Sequence, residues 1–220
     1  MIQFGGGERP RNLGVLAQAF VDPRGSDNFS AIDSGQEEAG NQIAAISSKI
    51  GFGGRVPFSF SVEYAGESIS ENQDYQLENT ALTAGVYFPF FFSENVSLTY
   101  EYADWENDWY VNRLYSEDYT IERFVLGHWA MQMQHNAGTG VAGSSHFAKA
   151  QWQMPSDNIV SALVRVSGHE NTADVTYQQA WELDVEYIVP LRSYIVSFGA
   201  QVGEDNLGEA FNRLKLSLDW

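Results

Sequence analysis

The amino-acid sequence predicts an all-β protein: an antiparallel transmembrane β-barrel of the bacterial outer membrane, with about ten strands in this chain. Three observations support this prediction. Apolar and polar residues alternate over most of the 220 residues, and short connections between these segments alternate with long ones. The chain ends on an alternating segment with a terminal aromatic residue. A barrel strand turns one row of side chains toward lipid and the other toward the lumen, which produces such alternation.

The final strand shows the pattern most clearly. Within residues 210–220, every second side chain from Leu214 to Trp220 is apolar, and the side chains between them are polar. An aromatic residue at the membrane interface is typical of outer-membrane barrels. The segment resembles the C-terminal recognition strand of bacterial outer-membrane proteins, so we expect the barrel assembly machinery to bind the strand that ends at Trp220.

The other strands follow from the same alternation. They are expected at residues 42–52, 58–64, 82–88, 96–102, 148–153, 160–167, 181–189 and 194–201, and Ile2–Phe4 fits the end of a tenth strand. Short turns follow Phe52, Phe88, Met154 and Val189. Longer loops occupy about 6–41, 67–79, 104–145, 169–176 and 203–209. Short periplasmic turns and long extracellular loops are the rule in outer-membrane barrels.

Composition agrees with this fold class. The chain is 44% hydrophobic, but no stretch approaches 18 consecutive apolar residues, which excludes a transmembrane helix. Cysteine is absent, so disulfides and thiolate metal sites are excluded. Residues 1–7 have neither the basic start nor the apolar segment of a signal peptide. We therefore expect a single barrel domain over residues 1–220 that forms the C-terminal portion of a longer precursor and a larger barrel.

The charge of the chain is concentrated in the expected loops. The net charge is −17, and the five long loops hold 21 acidic and five basic residues, a net charge of −16. Nucleic acid is a poor partner for such a surface. The loop acids could hold divalent cations loosely, but their spacing matches no specific metal site, and no cofactor is expected.

The charges within the strands nearly balance. Seven of them share the polar rows, where adjacent strands would pair them across the barrel wall: Lys149, Arg165, Glu182, Asp184, Glu186, Arg213 and Lys215. Charges in a wet lumen contribute little stability each. The alternative interpretation is a porin-like channel for small solutes, with Lys149, Arg165, Glu182 and Glu186 setting its selectivity.

An aromatic and acidic segment begins the longest loop. It contains Asp104, Trp105, Glu106, Asp108, Trp109 and Tyr110. Aromatic faces pack on the C–H faces of sugars, and carboxylates accept hydrogen bonds from sugar hydroxyls, so the segment predicts glycan binding. The alternative is an interfacial aromatic girdle with solvated acids.

Arginine supplies all the cations of the long loops. They are Arg9, Arg11, Arg24, Arg113 and Arg123. A guanidinium group matches a sugar carboxylate through two hydrogen bonds, which makes these arginines candidate glycan anchors. Pairing with neighbouring acids such as Glu8 or Glu122 is the alternative.

The sequence offers little for catalysis. Ser144 and Ser145 lie near His128, His135 and His146, but no Gly-x-Ser-x-Gly elbow is present. The histidines also lack the spacing of zinc ligands. We therefore predict that the protein is not an enzyme, and an outer-membrane hydrolase is the weakest of the three functions considered.

Four segments together resemble the capsule assembly Wzi family. In chain order they are Gly7-Glu-Arg-Pro-Arg-Asn-Leu13, Gly40-Asn-Gln-Ile43, Leu98-Thr-Tyr-Glu-Tyr-Ala-Asp104 and Phe124-Val-Leu-Gly-His-Trp129. The resemblance implies an outer-membrane barrel with an N-terminal helical portion, which this chain does not match. It also implies a lectin-like role: holding capsular polysaccharide on the cell surface without catalysis.

Overall fold

Ten strands form one sheet in the computed structural model, and two very short strands form a separate hairpin. The structure describes residues 2–3, 13–14, 17, 41–68, 77–107, 109, 120–121, 124–125, 141–173 and 175–219. The strands are β1 (Ile2–Gln3), β2 (Asn41–Phe52), β3 (Phe58–Ser68), β4 (Leu77–Phe88), β5 (Val96–Trp105), β6 (Thr120–Ile121), β7 (Phe124–Val125), β8 (Gly143–Gln153), β9 (Ile159–His169), β10 (Ala180–Leu191), β11 (Tyr194–Glu204) and β12 (Ala210–Asp219).

The sheet is an antiparallel meander. Its order is β1-β2-β3-β4-β5-β8-β9-β10-β11-β12, and β6 pairs with β7 inside the connection between β5 and β8. No pairing joins β1 to β12 among the described residues. The ten predicted strands, including the first one at Ile2, are confirmed. The β6–β7 hairpin was not predicted, because two-residue strands are too short to show a period of two.

The strands extend further toward the long loops than the alternation predicted. β4 begins at Leu77 rather than Leu82, and β8 begins at Gly143 rather than Ala148. Backbone pairing needs no contrast between the two faces, so a ladder continues where the regular alternation of apolar and polar residues stops. The apolar row therefore marks the length of the apolar band rather than the length of the strand.

The short turns are confirmed, and each contains a residue with a positive φ angle; in the turn between β4 and β5 it is Phe92, with φ +61°. The β10–β11 connection consists of Arg192 and Ser193, with φ +55° at Arg192. Gly54 has φ +116° between β2 and β3, and Asp157 has φ +65° between β8 and β9. Tight hairpin turns commonly require such left-handed backbone. Pro190 lies within β10, opposite Ile195, so this turn is shorter than predicted.

The two faces of the sheet differ in the side chains that they leave exposed and bury. We call the face with Leu214 and Leu216 the apolar face; these side chains are 90% and 72% exposed. The other face, here the polar face, buries several uncharged polar side chains: Ser161, Ser167, Ser197 and Gln201. A soluble protein would bury the apolar row. An exposed apolar row with a polar row behind it is the arrangement of an outer-membrane barrel, which confirms the predicted fold class.

Two further features of the described chain bear on its organisation. Within the described residues, no helix has the length and apolarity needed to cross a membrane. Contacts divide the chain into two compact units: Met1–Ile46 with Glu63–Leu82 and Asp104–Gly143, and Ser47–Val62 with Thr83–Ala103 and Ser144–Trp220. The single domain over residues 1–220, as part of a longer precursor, stays a prediction.

Candidate functional site

The predicted glycan-binding segment leaves the end of β5 as an ordered structure. Trp105, the last residue of β5, is 2% exposed, and its indole N–H donates a hydrogen bond of 2.9 Å to the carbonyl of Val141. Trp109 is 7% exposed. A buried indole normally satisfies its N–H in this way. The two tryptophans therefore hold the start of the long loop in place.

A reciprocal pair of hydrogen bonds joins Glu106 to the early part of β4. The Glu106 N–H donates to the carbonyl of Thr80 at 2.9 Å, and the Thr80 N–H donates to Glu106 Oε2 at 2.8 Å. The carbonyl of Glu106 also accepts from the N–H of Trp109 at 3.4 Å. The Glu106 side chain is exposed. Its Oε2 accepts the hydrogen bond from Thr80, and its other carboxylate oxygen is available to a ligand.

Asn107 ties the same segment to the residues that precede β8. Its Oδ1 accepts a hydrogen bond of 2.8 Å from the N–H of Ala142. We call residues 104–107 and 109 the exit platform, because hydrogen bonds to Thr80, Val141 and Ala142 fix it on both sides. The sequence did not indicate these partners. They lie 26 to 36 residues from the platform, and no local pattern marks them.

The platform changes what each predicted residue can do. The indole rings of Trp105 and Trp109 are covered, so they lack the open faces that stacking on sugar rings requires. This burial corrects the stacking role expected for these two tryptophans: their rings pack inside the protein. Asp104, Glu106 and Asn107 are exposed and present polar groups.

Several predicted site residues lie outside the described residues. They are Arg9, Arg11, Asp108, Tyr110, Arg113 and Arg123, together with the terminal Trp220. Their assignment to glycan binding, or to the barrel assembly machinery for Trp220, stays a prediction.

The predicted pairing of charges on the polar face is present between adjacent strands. An Arg165 guanidinium N–H on β9 donates to Glu182 Oε1 on β10 at 3.0 Å, and the two residues are direct partners in the strand register. The Arg165 guanidinium also lies 5.8 Å from the ring centre of Phe147. A charge-assisted bond with an aromatic contact orders this part of the wall.

A second ion pair crosses an intervening strand, which was not predicted. Lys215 Nζ on β12 donates to Asp184 Oδ2 on β10. Gly199 of β11 is the register partner of Lys215, and its missing Cβ would lie 3.5 Å from the Lys215 Cβ. The absence of a side chain at Gly199 leaves room for the lysine to cross β11.

The remaining charges of the polar face have other surroundings. Arg213 lies over Phe211, with its guanidinium carbon 5.4 Å from the ring centre. In the described part of the chain, no carboxylate lies within 4.0 Å of Lys149, and no cationic group lies within 4.0 Å of Glu186. Pairing therefore accounts for four of the seven predicted lumen charges.

Replacing Glu182 with glutamine is expected to lower the free energy of unfolding by about 1–2 kcal/mol, because Arg165 loses a charged partner in a half-buried setting. Urea titration of the protein in phospholipid vesicles measures this change. Glu186→Gln is the matched control, since no cation partners Glu186 within the described residues; its expected change is within about 0.5 kcal/mol. Equal losses in both variants would show that the Arg165–Glu182 pair is not the cause.

The residues considered for a hydrolase are arranged differently. His146 Nδ1 is hydrogen-bonded to the Tyr100 hydroxyl at 2.8 Å, and its ring lies 5.1 Å from that of Tyr102. Ser145 is buried, whereas the neighbouring His146 is exposed, as expected for consecutive residues of a strand. Within the described residues, no group of three or more acidic, histidine or cysteine side chains is placed to hold a metal ion.

These features define a protein of the outer-membrane β-barrel class: an antiparallel meander, an exposed apolar row, a polar row with ion pairs, and long acidic loops. A family model described as capsule assembly protein Wzi matches residues 1–203. The chain therefore belongs to the capsule assembly protein Wzi family, and its role lies in capsule assembly. The resemblance of the four sequence segments is thereby confirmed. Searches of curated proteins and of solved structures gave no match.

Proposed function

We propose that this protein binds capsular polysaccharide at the outer face of the bacterial outer membrane and holds the capsule at the cell surface, without catalysing a reaction. Membership of the capsule assembly family supports the role. The exposed apolar row, from Leu214 to Leu218 on β12, supports a location in outer-membrane lipid. In this proposal the short turns face the periplasm and the long acidic loops face outward.

The exit platform is the observation that carries the proposal. Hydrogen bonds to two distant segments fix its backbone, while the side chains of Asp104, Glu106 and Asn107 remain exposed. Carboxylates accept strong hydrogen bonds from hydroxyl groups, and a fixed backbone loses little conformational entropy when a ligand binds. A row of polar acceptors on a rigid base suits a polymer rich in hydroxyl groups.

Charge repulsion has to be overcome if the polysaccharide is acidic. In this proposal Arg9, Arg11, Arg113 and Arg123 receive sugar carboxylates, and Asp108 and Tyr110 also contact the glycan. Divalent cations held loosely between loop acids and sugar carboxylates would add to the attraction, because hard cations prefer oxygen ligands. The barrel assembly machinery, acting on the strand that ends at Trp220, would insert the protein.

We expect the double variant Asp104→Asn with Glu106→Gln to bind purified capsular polysaccharide about tenfold more weakly, a loss of about 1.4 kcal/mol. The amide at position 106 still accepts the hydrogen bond from Thr80, so the platform keeps its shape while both charges are lost. Binding is measured by calorimetry on the detergent-solubilised protein, and capsule retention by assay of cell-bound and released polysaccharide.

The matched control neutralises two exposed acids outside the platform, Glu170→Gln with Glu209→Gln. It removes the same net charge, so a general electrostatic effect would appear in both double variants. Unchanged affinity in the platform variant would contradict the proposal. Single-channel current without polysaccharide binding by the parent protein would instead support the porin-like alternative.

A further inference from the structure

A histidine lies on the face of the sheet that otherwise carries mainly apolar side chains. Phe147 of β8 contacts Arg165, which lies on the polar face with its partner Glu182. Successive residues of a strand point to opposite faces, so His146 lies on the apolar face. It is exposed there, near the end of β8 that follows the long connection from β5. We propose that His146, positioned by Tyr100, binds the phosphate of a lipid headgroup.

Two tyrosines of β5 hold the imidazole ring of His146. The Tyr100 hydroxyl is hydrogen-bonded to His146 Nδ1 at 2.8 Å, and the centre of the Tyr102 ring lies 5.1 Å from that of the imidazole. The bond made at one ring nitrogen sets which nitrogen carries the hydrogen. We assign the Tyr100 hydroxyl as the donor, so that Nε2 carries the N–H. Within the described residues no group is hydrogen-bonded to Nε2, and its N–H is available to a ligand.

The surroundings of His146 do not supply an acceptor for this N–H. The neighbouring side chains on the apolar rows of β5, β8 and β9 are largely aliphatic: Leu98, Ala148, Ala150, Val164 and Val166. An N–H turned toward lipid without an acceptor costs free energy. Tyrosine is enriched at the depth of the lipid headgroups, so Tyr100 and Tyr102 place the imidazole at that depth. The acceptor that a lipid headgroup offers there is its phosphate.

The charges on these rows also suit an anion. The apolar rows of β8, of β9 and of β5 as far as Tyr102 contain no acidic residue that would compete for the N–H. Asp104, the next residue of the β5 row, belongs to the exit platform, and its negative charge would oppose an anion rather than hold it. A phosphate that accepts from Nε2 forms a charge-assisted hydrogen bond, which is stronger than a bond between neutral groups.

The row that continues from His146 has room for an acyl chain. Ala148 and Ala150 follow on the same face of β8, and Trp152 comes last before the turn. These two methyl groups occupy less of the face than the leucine, tyrosine and valine side chains of β5 and β9 on either side. A lipid would present its phosphate to the imidazole and lay an acyl chain along the alanines, a contact that a free phosphate ion cannot make.

The ligand is a lipid and the site uses no hydrogen bond of the exit platform, so this inference goes beyond polysaccharide binding. It rests on the proposed placement of the apolar face in membrane lipid. Phosphatidic acid is a suitable probe because it carries a phosphate monoester on two acyl chains, and diacylglycerol is the same lipid without the phosphate. Binding of each lipid to the full chain in detergent micelles is measured by native mass spectrometry.

We expect the parent protein to bind phosphatidic acid about five- to tenfold more tightly than diacylglycerol, the gain typical of one charge-assisted hydrogen bond. His146→Phe keeps an aromatic ring and removes the N–H. It should weaken the binding of phosphatidic acid by a similar factor and leave that of diacylglycerol unchanged, which also reports that the apolar face is intact. Tyr100→Phe removes the bond that orients the imidazole and should cause a smaller loss.

Tyr187→Phe is the matched control. Its hydroxyl lies on the apolar face of β10 and is hydrogen-bonded to Asn158, so the variant loses a tyrosine hydroxyl away from His146. It should bind phosphatidic acid like the parent, and a loss as large as that of Tyr100→Phe would overturn the proposal. Equal affinities of His146→Phe and parent for phosphatidic acid, or of the parent for the two lipids, would also overturn it.

Two further measurements separate this site from other ligands and from the platform. Displacement of phosphatidic acid by an equal concentration of inorganic phosphate would overturn the assignment to a lipid, because the acyl chains would then contribute nothing. Asp104→Asn with Glu106→Gln should bind phosphatidic acid at least as tightly as the parent, although its affinity for polysaccharide is expected to fall. Failure of either proposal is therefore recognised independently of the other.

Discussion

Replacing Trp105 with alanine is expected to lower the free energy of unfolding by about 3–5 kcal/mol. The indole is almost fully buried, and its removal leaves a cavity at the end of β5 and an unpaired carbonyl at Val141. Because the same indole holds the exit platform, capsule retention should also fall, although the ring itself is covered. Urea titration in phospholipid vesicles measures the stability change, and release of polysaccharide from cells measures retention.

Trp105→Phe is the control that separates packing from hydrogen bonding. Phenylalanine keeps most of the aromatic volume and loses the donor to Val141, so we expect a loss nearer to 1–2 kcal/mol. An alanine variant as stable as the parent would contradict the role of Trp105 as the anchor of the platform. Full stability together with weak retention would instead mean that the ring acts directly on the glycan.

Substituting Gly203 with alanine is expected to cost about 2–3 kcal/mol, an effect of overpacking. A Cβ at this position of β11 would lie 2.3 Å from the Trp181 carbonyl oxygen and 2.7 Å from Phe211 Cζ. The carbonyl belongs to the backbone of the neighbouring strand β10, so relief requires the strands to shift. The same urea titration measures the loss, and a gel-mobility assay of the unheated protein reports whether the sheet still forms.

Gly168→Ala is the matched control in β9, because a Cβ there would meet nothing within 4 Å. We expect a change within about 0.5 kcal/mol, since alanine also restricts the unfolded chain. Adding Phe211→Ala to Gly203→Ala removes the contact with the ring and leaves the contact with the carbonyl. If this double variant regains the full stability of Phe211→Ala alone, the ring rather than the backbone makes glycine necessary.

How the platform is held bears on how the protein could serve in capsule assembly. Thr80, Val141 and Ala142 supply backbone groups, so the segment depends on the course of two distant stretches of the chain. A rigid acceptor row favours binding through lower entropic cost rather than through many contacts. In the proposed function, distant substitutions that loosen this base would therefore weaken polysaccharide binding without altering a side chain that touches the ligand.

Much of the fold could be predicted from residue order alone. The alternation from Leu214 to Leu218 assigns each side chain to one face, because successive residues of a strand point in opposite directions. The pairing of Arg165 with Glu182 also follows once β9 and β10 are known to be neighbours. The strand ends beyond the apolar band could not be predicted, because the regular alternation of apolar and polar residues stops there.

The site was predicted less completely, since its contacts depend on residues far apart in the chain. Trp105 and Asp104 are both suitable for glycan binding by residue type, yet the first is buried and the second exposed. Which of them meets solvent is decided by Val141 and its neighbours, which approach from a distant segment. A local pattern carries no information about that approach.

By itself, the sequence determined the period-two strands, the meander, the acidic loops and the family, because each of these depends on the order and spacing of residues along the chain. Tertiary structure decided that Trp105 is buried and that Lys215 reaches Asp184 across Gly199. The physical reason is register. Strand pairing sets which side chains, and which missing side chains, come together, and a shift of one residue would exchange the two faces.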